Sequence, residues 1–312
     1  MRKIIITGCL AALFFSSTFV LNRAMSLEGG HWVWTSSLRY LWMLLLLSGW
    51  MLVSGKARLL GQTLSLFKRH WIFWTTAGSI GFGLFYALIT YSVTFAPGWI
   101  VATTWQTTIL ATPLVLLGFG RKVSLRALAL TLIVFAGVIL VNVEHAASTP
   151  LSFVLLGALP VLGAGFAYPV GNQMVWEARE GGNRFIPAID HPAMSDGFAR
   201  VLLLTLGSVP LWLALILATT PPAPSEGQLI MTGTVALLSG VIATTLFLNA
   251  RYAATNASEL AAADCTQSME VVFALAGECL FLDGALPGML GAFGIALTVI
   301  GLVLYIRVQN VR

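Results

Sequence analysis

Apolar and polar positions in this chain segregate on the scale of membrane crossings. Apolar runs of about 20 residues, the length that spans a bilayer as a helix, recur from end to end between short polar segments. Ten spans follow from the pattern: residues 4–22, 32–53, 71–91, 98–119, 125–143, 151–175, 198–219, 228–250, 258–282 and 286–306. An all-α polytopic membrane protein is predicted, because a helix satisfies its backbone polar groups within one segment in lipid. Residues Met1 to Phe15 imitate a secretory signal, and Ile6-Thr7-Gly8-Cys9 resembles a lipoprotein cleavage box. Only about five apolar residues precede Cys9, too few for a signal core, and the run continues to Leu21. The segment reads as the first membrane helix.

Composition agrees with that picture. Of 312 residues, 58% are hydrophobic and 9% charged, and the mean hydropathy is +0.88. A soluble protein of this length would need more surface charge. The net charge of +5 is of a sign that draws nucleic acid, but its distribution points to membrane orientation instead. With the N-terminus inside, the inner loops and termini carry Lys56, Arg58, Lys68, Arg69, Arg121, Lys122, Arg126, Arg179 and Arg184 among others; the outer loops hold Arg23 alone. The asymmetry predicts a multi-pass protein of the cytoplasmic (inner) membrane with both termini cytoplasmic, embedded in the lipid bilayer and without a nucleic-acid partner. Trp32 and Trp34 fit an outer aromatic belt, and Trp50, Trp71, Trp74 and Trp176 an inner one. Cys9, Cys265 and Cys279 fall in spans without paired spacing, so neither a disulfide framework nor a metal site is expected.

Candidate chemistry centres on Ser258 to Asp283. At roughly 100° per residue, Asp264, Gln267 and Glu270 share one face of a helix, and Ala261, Ala262 and Ala263 leave room for neighbouring helices. A charge at the membrane centre costs on the order of 3 kcal/mol, which makes an idle one at Glu270 improbable. Both acids have a structural alternative, as partners of buried polar groups. Glu259, after Ser258, reads as a first-turn acid on a capped helix; Glu278 and Asp283 lie near the outer end, where solvation is the simpler account.

Elsewhere, Arg23 is expected to snorkel to the outer headgroups. Arg39, seven residues into span 2, needs a carbonyl or acidic partner, either to tie helix ends or to contact substrate. Gly78, Gly81 and Gly83 suit close packing. In span 4, Pro113 is expected to kink the helix, and Trp105 and Gln106 sit deep enough to pack in the core or to line a cavity. Span 6 carries Pro160, Tyr168, Pro169 and several glycines, the signature of a breakable helix of the kind that lines a site, or of a merely bent one. Residues 176–197 form the longest connection, a cytoplasmic loop without a catalytic motif, in which His191 reads as a loop residue. Gly284, Gly288, Gly291 and Gly294 define a smooth face for a helix of the same chain or of another subunit.

The halves look like copies. A shift of 161 residues lays Tyr91, Thr94, Ala96, Ala102 and Gln106 on Tyr252, Thr255, Ala257, Ala263 and Gln267, five identities in sixteen columns, and Arg39 on Arg200. The repeat has five spans, residues 1–143 and then 151–312. Five is odd, so the second copy is inverted, an architecture of alternating-access transporters. Glu270 and Asp264 break the symmetry, because Ile109 and Thr103 stand at their counterparts.

Ten spans, the inverted repeat, an arginine early in spans 2 and 7 and the Gly277-Glu278 pair closing span 9 resemble the drug/metabolite transporter superfamily, in particular its ten-helix members described as multidrug resistance efflux transporters. The resemblance implies export of small molecules, coupled to protons or to the substrate gradient, with cargoes ranging over amino acids, other metabolites and lipophilic cations. Many relatives lack an acid like Glu270, so coupling through it is inferred from this chain's residues.

The expectation is therefore a secondary active exporter of small molecules, lipophilic cations or drugs, with protons as coupling ion. Glu270, Asp264, Gln267, Gln106, Trp105 and Tyr168 would bind substrate or proton, and Arg39, Arg200, Pro113 and Pro169 would serve structure or gating. The alternative is export of amino acids or other metabolites without proton coupling through Glu270. No cofactor is called for, and the protein would act as a monomer or a homodimer. An intramembrane enzyme is disfavoured, since no Ser/His pair, facing aspartates or HExxH helix is present. A sensor or assembly component has no positive feature to support it.

Overall fold

The computed structural model describes residues 2–121, 125–181, 183–253, 259, 263 and 266–309. Every regular element among them is helical. Eight helices are long and apolar enough to cross a membrane: α1 (Arg2–Leu27), α2 (Trp32–Val53), α4 (Trp71–Ser92), α5 (Gly98–Gly118), α6 (Leu125–Ser148, its apolar window Leu128–Ser148), α7 (Leu151–Glu180), α8 (Gly197–Thr219) and α9 (from Glu226, the apolar stretch Glu226–Ala250). Three are shorter or less apolar: α3 (Ala57–Arg69), α10 (Met269–Phe281) and α11 (Met289–Gln309, its apolar part Met289–Tyr305). The sequence pattern predicts no span over α3, because its apolar positions are too few. Its buried Leu66 and partly buried Leu59, Leu60 and Phe67 instead clip it onto the core.

The connections sort into two ends. At one, Lys56 pairs with Asp196 at 3.2 Å, and Arg121 grips Glu177 at 2.7 and 3.0 Å. At the other, Gln228 donates to the His31 carbonyl, Trp34 to the Pro222 carbonyl and Arg23 to the Val93 carbonyl. α1 packs on α9 and α10, while α7 packs on α4 and α5; α2 packs on α9, while α8 packs on α4; α6 and α11 pair with each other. Glycines bring backbones together where these helices cross. A Cβ on Gly81 would lie 2.8 Å from the Gly171 Cα, and one on Gly78 would lie 2.7 Å from the Gly207 Cα.

Four helices are less regular, or more regular, than their sequences suggest. α4 and α9 contain π-helical turns, Ser79–Leu84 and Ala236–Ala243. α5 continues through Pro113 and is interrupted upstream, at Gln106–Thr107, where Thr107 turns its hydroxyl to the Thr104 carbonyl. α7 is one helix of 30 residues through both Pro160 and Pro169. The Gly165 carbonyl, which Pro169 cannot serve, accepts from the Thr108 hydroxyl at 3.2 Å, so the expected break is repaired by a neighbour. Expected as a continuous span, residues 258–282 instead pass through a 3-10 turn, Thr266–Ser268, before α10 begins at Met269. The glycine stripe meets α6 of the same chain: Gly294 lies against Gly137, and Gly284 and Gly288 precede the helix.

Candidate functional site

Glu270 occupies the first turn of α10, at the positive end of the helix dipole, and is 8% exposed. It has no hydrogen-bond or ion-pair partner among the described residues. Tyr168 on α7 lies within its electrostatic reach. The Tyr168 ring meets Phe85 at 5.1 Å and Trp105 at 5.7 Å, and Phe85 meets Trp105 at 4.8 Å, closing a triangle contributed by α4, α5 and α7. Trp105 reaches it as the last residue before the interruption of α5.

Two of the expected residues, Trp105 and Tyr168, thus meet, with Glu270 within electrostatic reach of Tyr168. Gln106, though buried, turns its amide back to the Ala102 carbonyl at 3.4 Å. Gln267 lies half-buried in the 3-10 turn, one turn before Glu270. Asp264 lies outside the described residues, as does Ser258.

Below Tyr168, a cavity of about 300 Å³ opens between α4, α7, α8 and α9. Phe82 and Tyr168 line one part, Asn172 and Thr244 the middle, and Arg179 and Arg200 the helix ends. Tyr168 is 37% exposed because it faces this space. Arg200 donates to the Met194 carbonyl at 3.1 Å. Arg121 stacks over the Trp176 ring at 4.4 Å, bracing a further wall of the cavity.

Beyond the aromatic layer sits Arg39. Its guanidinium lies 4.1 Å from the Tyr86 ring centroid and donates to the Ser239 hydroxyl at 3.2 Å, while its Nε has no partner. The Tyr86 hydroxyl is held by Asn22 at 3.0 Å, and Thr18 donates to Ser239 at 2.8 Å. The carbonyl or acid that depth alone predicted is thus replaced by a hydroxyl and an aromatic face. Asn22, Tyr86 and Ser239 escaped the sequence reading because nothing in their spacing links α1, α4 and α9.

The opposite rim departs from expectation too. Arg23 does not snorkel; it donates to the Val93 carbonyl at 2.7 Å and lies 4.0 Å from Glu278. Glu278 is buried rather than solvated and accepts from the Trp99 backbone N–H at 2.9 Å. Trp74, placed in the inner belt by its position, is fully buried in the core.

Known proteins were compared with this arrangement. The family model described as "Putative multidrug resistance efflux transporter" (EmrE) matches residues 1–311. This chain belongs to that family. Among curated proteins, this chain is similar to "Uncharacterized protein YjlA" of Bacillus subtilis (strain 168), 38% identical over 97% of this chain and 94% of that protein. A second relative, the "Uncharacterized 42.1 kDa protein in intracellular alkaline protease 3'region" of Shouchella clausii, is 36% identical over 80% of this chain and 64% of its own length. A solved crystal structure shares the fold with a TM-score of 0.61 at 14% identity, over 99% of this chain and 98% of the other. Efflux-family membership and the run of apolar helices make this a multi-pass membrane protein. Within the family, a small-molecule substrate and the lipid bilayer are the partners to be expected.

Proposed function

We propose that this protein is a secondary transporter that exports small molecules from the cytoplasm by alternating access, exchanging a proton at Glu270. The observation that carries this reading is Glu270 itself, a buried carboxyl without a partner among the described residues, within electrostatic reach of Tyr168 at the head of a cavity. A carboxyl of this kind is costly and is kept where protons or cations pass. Efflux as the direction follows from the family.

Two inverted five-helix repeats, α1 with α2 and α4 to α6, then α7 to α11, would supply the moving parts. The packing pattern supports this, since exchanging the halves turns the contacts of α1 with α9 and α10 into those of α7 with α4 and α5. The irregularities recur as well. π-turns fall in α4 and α9, and the breaks at Gln106–Thr107 and Thr266–Ser268 coincide under the 161-residue shift. The end carrying Lys56, Arg58, Lys68, Arg69, Arg121 and Arg179 is read as cytoplasmic on the positive-inside rule. The cavity at Arg179 and Arg200 then opens inward.

Counterflow tests the carrier reading. Ligands that raise the melting temperature of the purified protein are loaded into proteoliposomes, and labelled ligand is added outside. A carrier accumulates label transiently and saturably. Label entry that never overshoots equilibrium, or no entry for any stabilising ligand, would reject the reading.

A further inference from the structure

Apart from Glu270, the charged side chains described along the route from the cavity to the far side are arginines. Arg179 and Arg200 stand at the ends of α7 and α8, while Phe82 and Tyr168 lie about eleven residues deeper, roughly 16 Å of helix rise. Among the described residues, no carboxylate lines this cavity. Arg200 spends one Nη on the Met194 carbonyl and makes no ion pair among the described residues. Asp196, the acid one turn before it, is committed to Lys56 and to capping the Ala199 N–H. Among the described residues Arg179 has only the half-exposed Glu180 as an ion-pair partner, at 3.6 Å.

Past the aromatic layer, Arg39 repeats the situation. It too lacks an acidic partner among the described residues, and its Nε is buried without an acceptor. Phe82 and Tyr40 connect the two stations, with ring centroids 5.7 Å apart, and Tyr40 continues to Tyr86 at 5.6 Å. Arg39 and Arg200 are also counterparts under the 161-residue shift. A guanidinium in a low-dielectric interior is retained where a counter-charge visits it, and a planar fork matches a carboxylate. A purely cationic cargo would instead meet two positive charges that have no ion pair among the described residues.

We propose that Arg200 and Arg39 are successive recognition residues for an acidic group on the cargo, and that the cargo is a carboxylate-bearing or amphoteric molecule with an apolar or aromatic body. The aromatic layer takes the body while the acidic group passes from the Arg200 station to the Arg39 station. This inference rests on the transporter reading above and narrows its cargo.

The test is equilibrium binding to the purified full-length protein, followed by tryptophan fluorescence. The probes are phenylpropionate, phenylpropylamine and phenylpropanol, which share a body and differ in charge. Phenylpropionate should bind at least about tenfold more tightly than the other two, the effect of one charge-assisted hydrogen-bonding partner. Because either station can hold the acidic group, the double variant Arg200→Gln/Arg39→Gln should weaken it roughly tenfold or more, and Arg200→Lys in place of Arg200→Gln should restore part of the loss. Melting temperatures show whether each variant is folded; if the double glutamine variant is not, the wild-type charge series and the lysine variant decide. Tighter binding of the amine, no binding of the acid, or a folded double glutamine variant that holds the acid within about twofold would each overturn the proposal. Binding requires neither transport nor Glu270. Failed counterflow with intact acid preference would therefore count against the carrier reading alone.

Discussion

Two helix N-termini in this bundle are closed by glutamates from other helices. Glu144 on α6 accepts from the Gly288 and Gly291 N–H groups at 2.8 and 2.7 Å, and Glu278 on α10 accepts from Trp99 at the start of α5. The first N–H groups of a helix have no partner of their own, and lipid offers none. Removing a charged acceptor costs about 1.5–3 kcal/mol per hydrogen bond, less where water can substitute. Glu278→Ala should therefore lower stability by about 2–3 kcal/mol, since it strands Arg23 as well, and the half-exposed Glu144→Ala by about 1–2 kcal/mol. Denaturation in detergent measures both, and an unchanged Glu278→Ala midpoint would contradict the capping role. Neither role was legible in the sequence. Glu144 meets residues 144 and 147 positions away, and Glu278 one 179 positions away, separations that no local pattern encodes. Arg39 was legible as a residue needing a partner, but not that the partner would be Ser239, 200 positions away.

At the scale of elements, span positions could be read because bilayer thickness sets them, whereas breaks within spans could not be read from proline. Pro169 leaves α7 intact because Thr108 takes up the freed carbonyl. The interruptions fall instead where a glutamine is followed by a hydroxyl residue, Gln106-Thr107 and Gln267-Ser268. There Thr107 and Thr266 bond back to carbonyls three residues earlier, competing with the helix ladder. Glycine contacts between helices set a further constraint. At position 171 a methyl would press on the Gly81 Cα and the Ala77 carbonyl, backbone that cannot yield; at 163 it would meet only the Leu88 Cδ1 at 3.2 Å. Gly171→Ala should destabilise by about 1–3 kcal/mol through overpacking. Gly163→Ala should be neutral or stabilising by up to about 1 kcal/mol, from helix propensity. Equal melting temperatures for the two variants would refute the close α4–α7 crossing.

For the whole molecule, the all-helical architecture and the family were legible from hydrophobic patterning and charge asymmetry. The grouping of Trp105 with Tyr168 and Glu270 was only partly legible, because it depends on three helices converging. The central claim is that Glu270 exchanges a proton with cargo. Glu270→Gln keeps the size and hydrogen-bonding capacity of the side chain and removes the exchangeable charge, and a neutral amide is cheaper to bury than a carboxylate, so the variant should insert and fold. Asp264→Asn is expected to weaken coupling less, as that residue comes earlier in the sequence, nearer the loop read as cytoplasmic from charge. The deciding measurement is uptake of a binding ligand into inverted vesicles, with and without an imposed pH gradient, for the wild type and Glu270→Gln. The account predicts that the gradient-driven component disappears in the variant while ligand still binds, with the pH dependence of binding flattened. Gradient-driven uptake that survives unchanged in Glu270→Gln would contradict it.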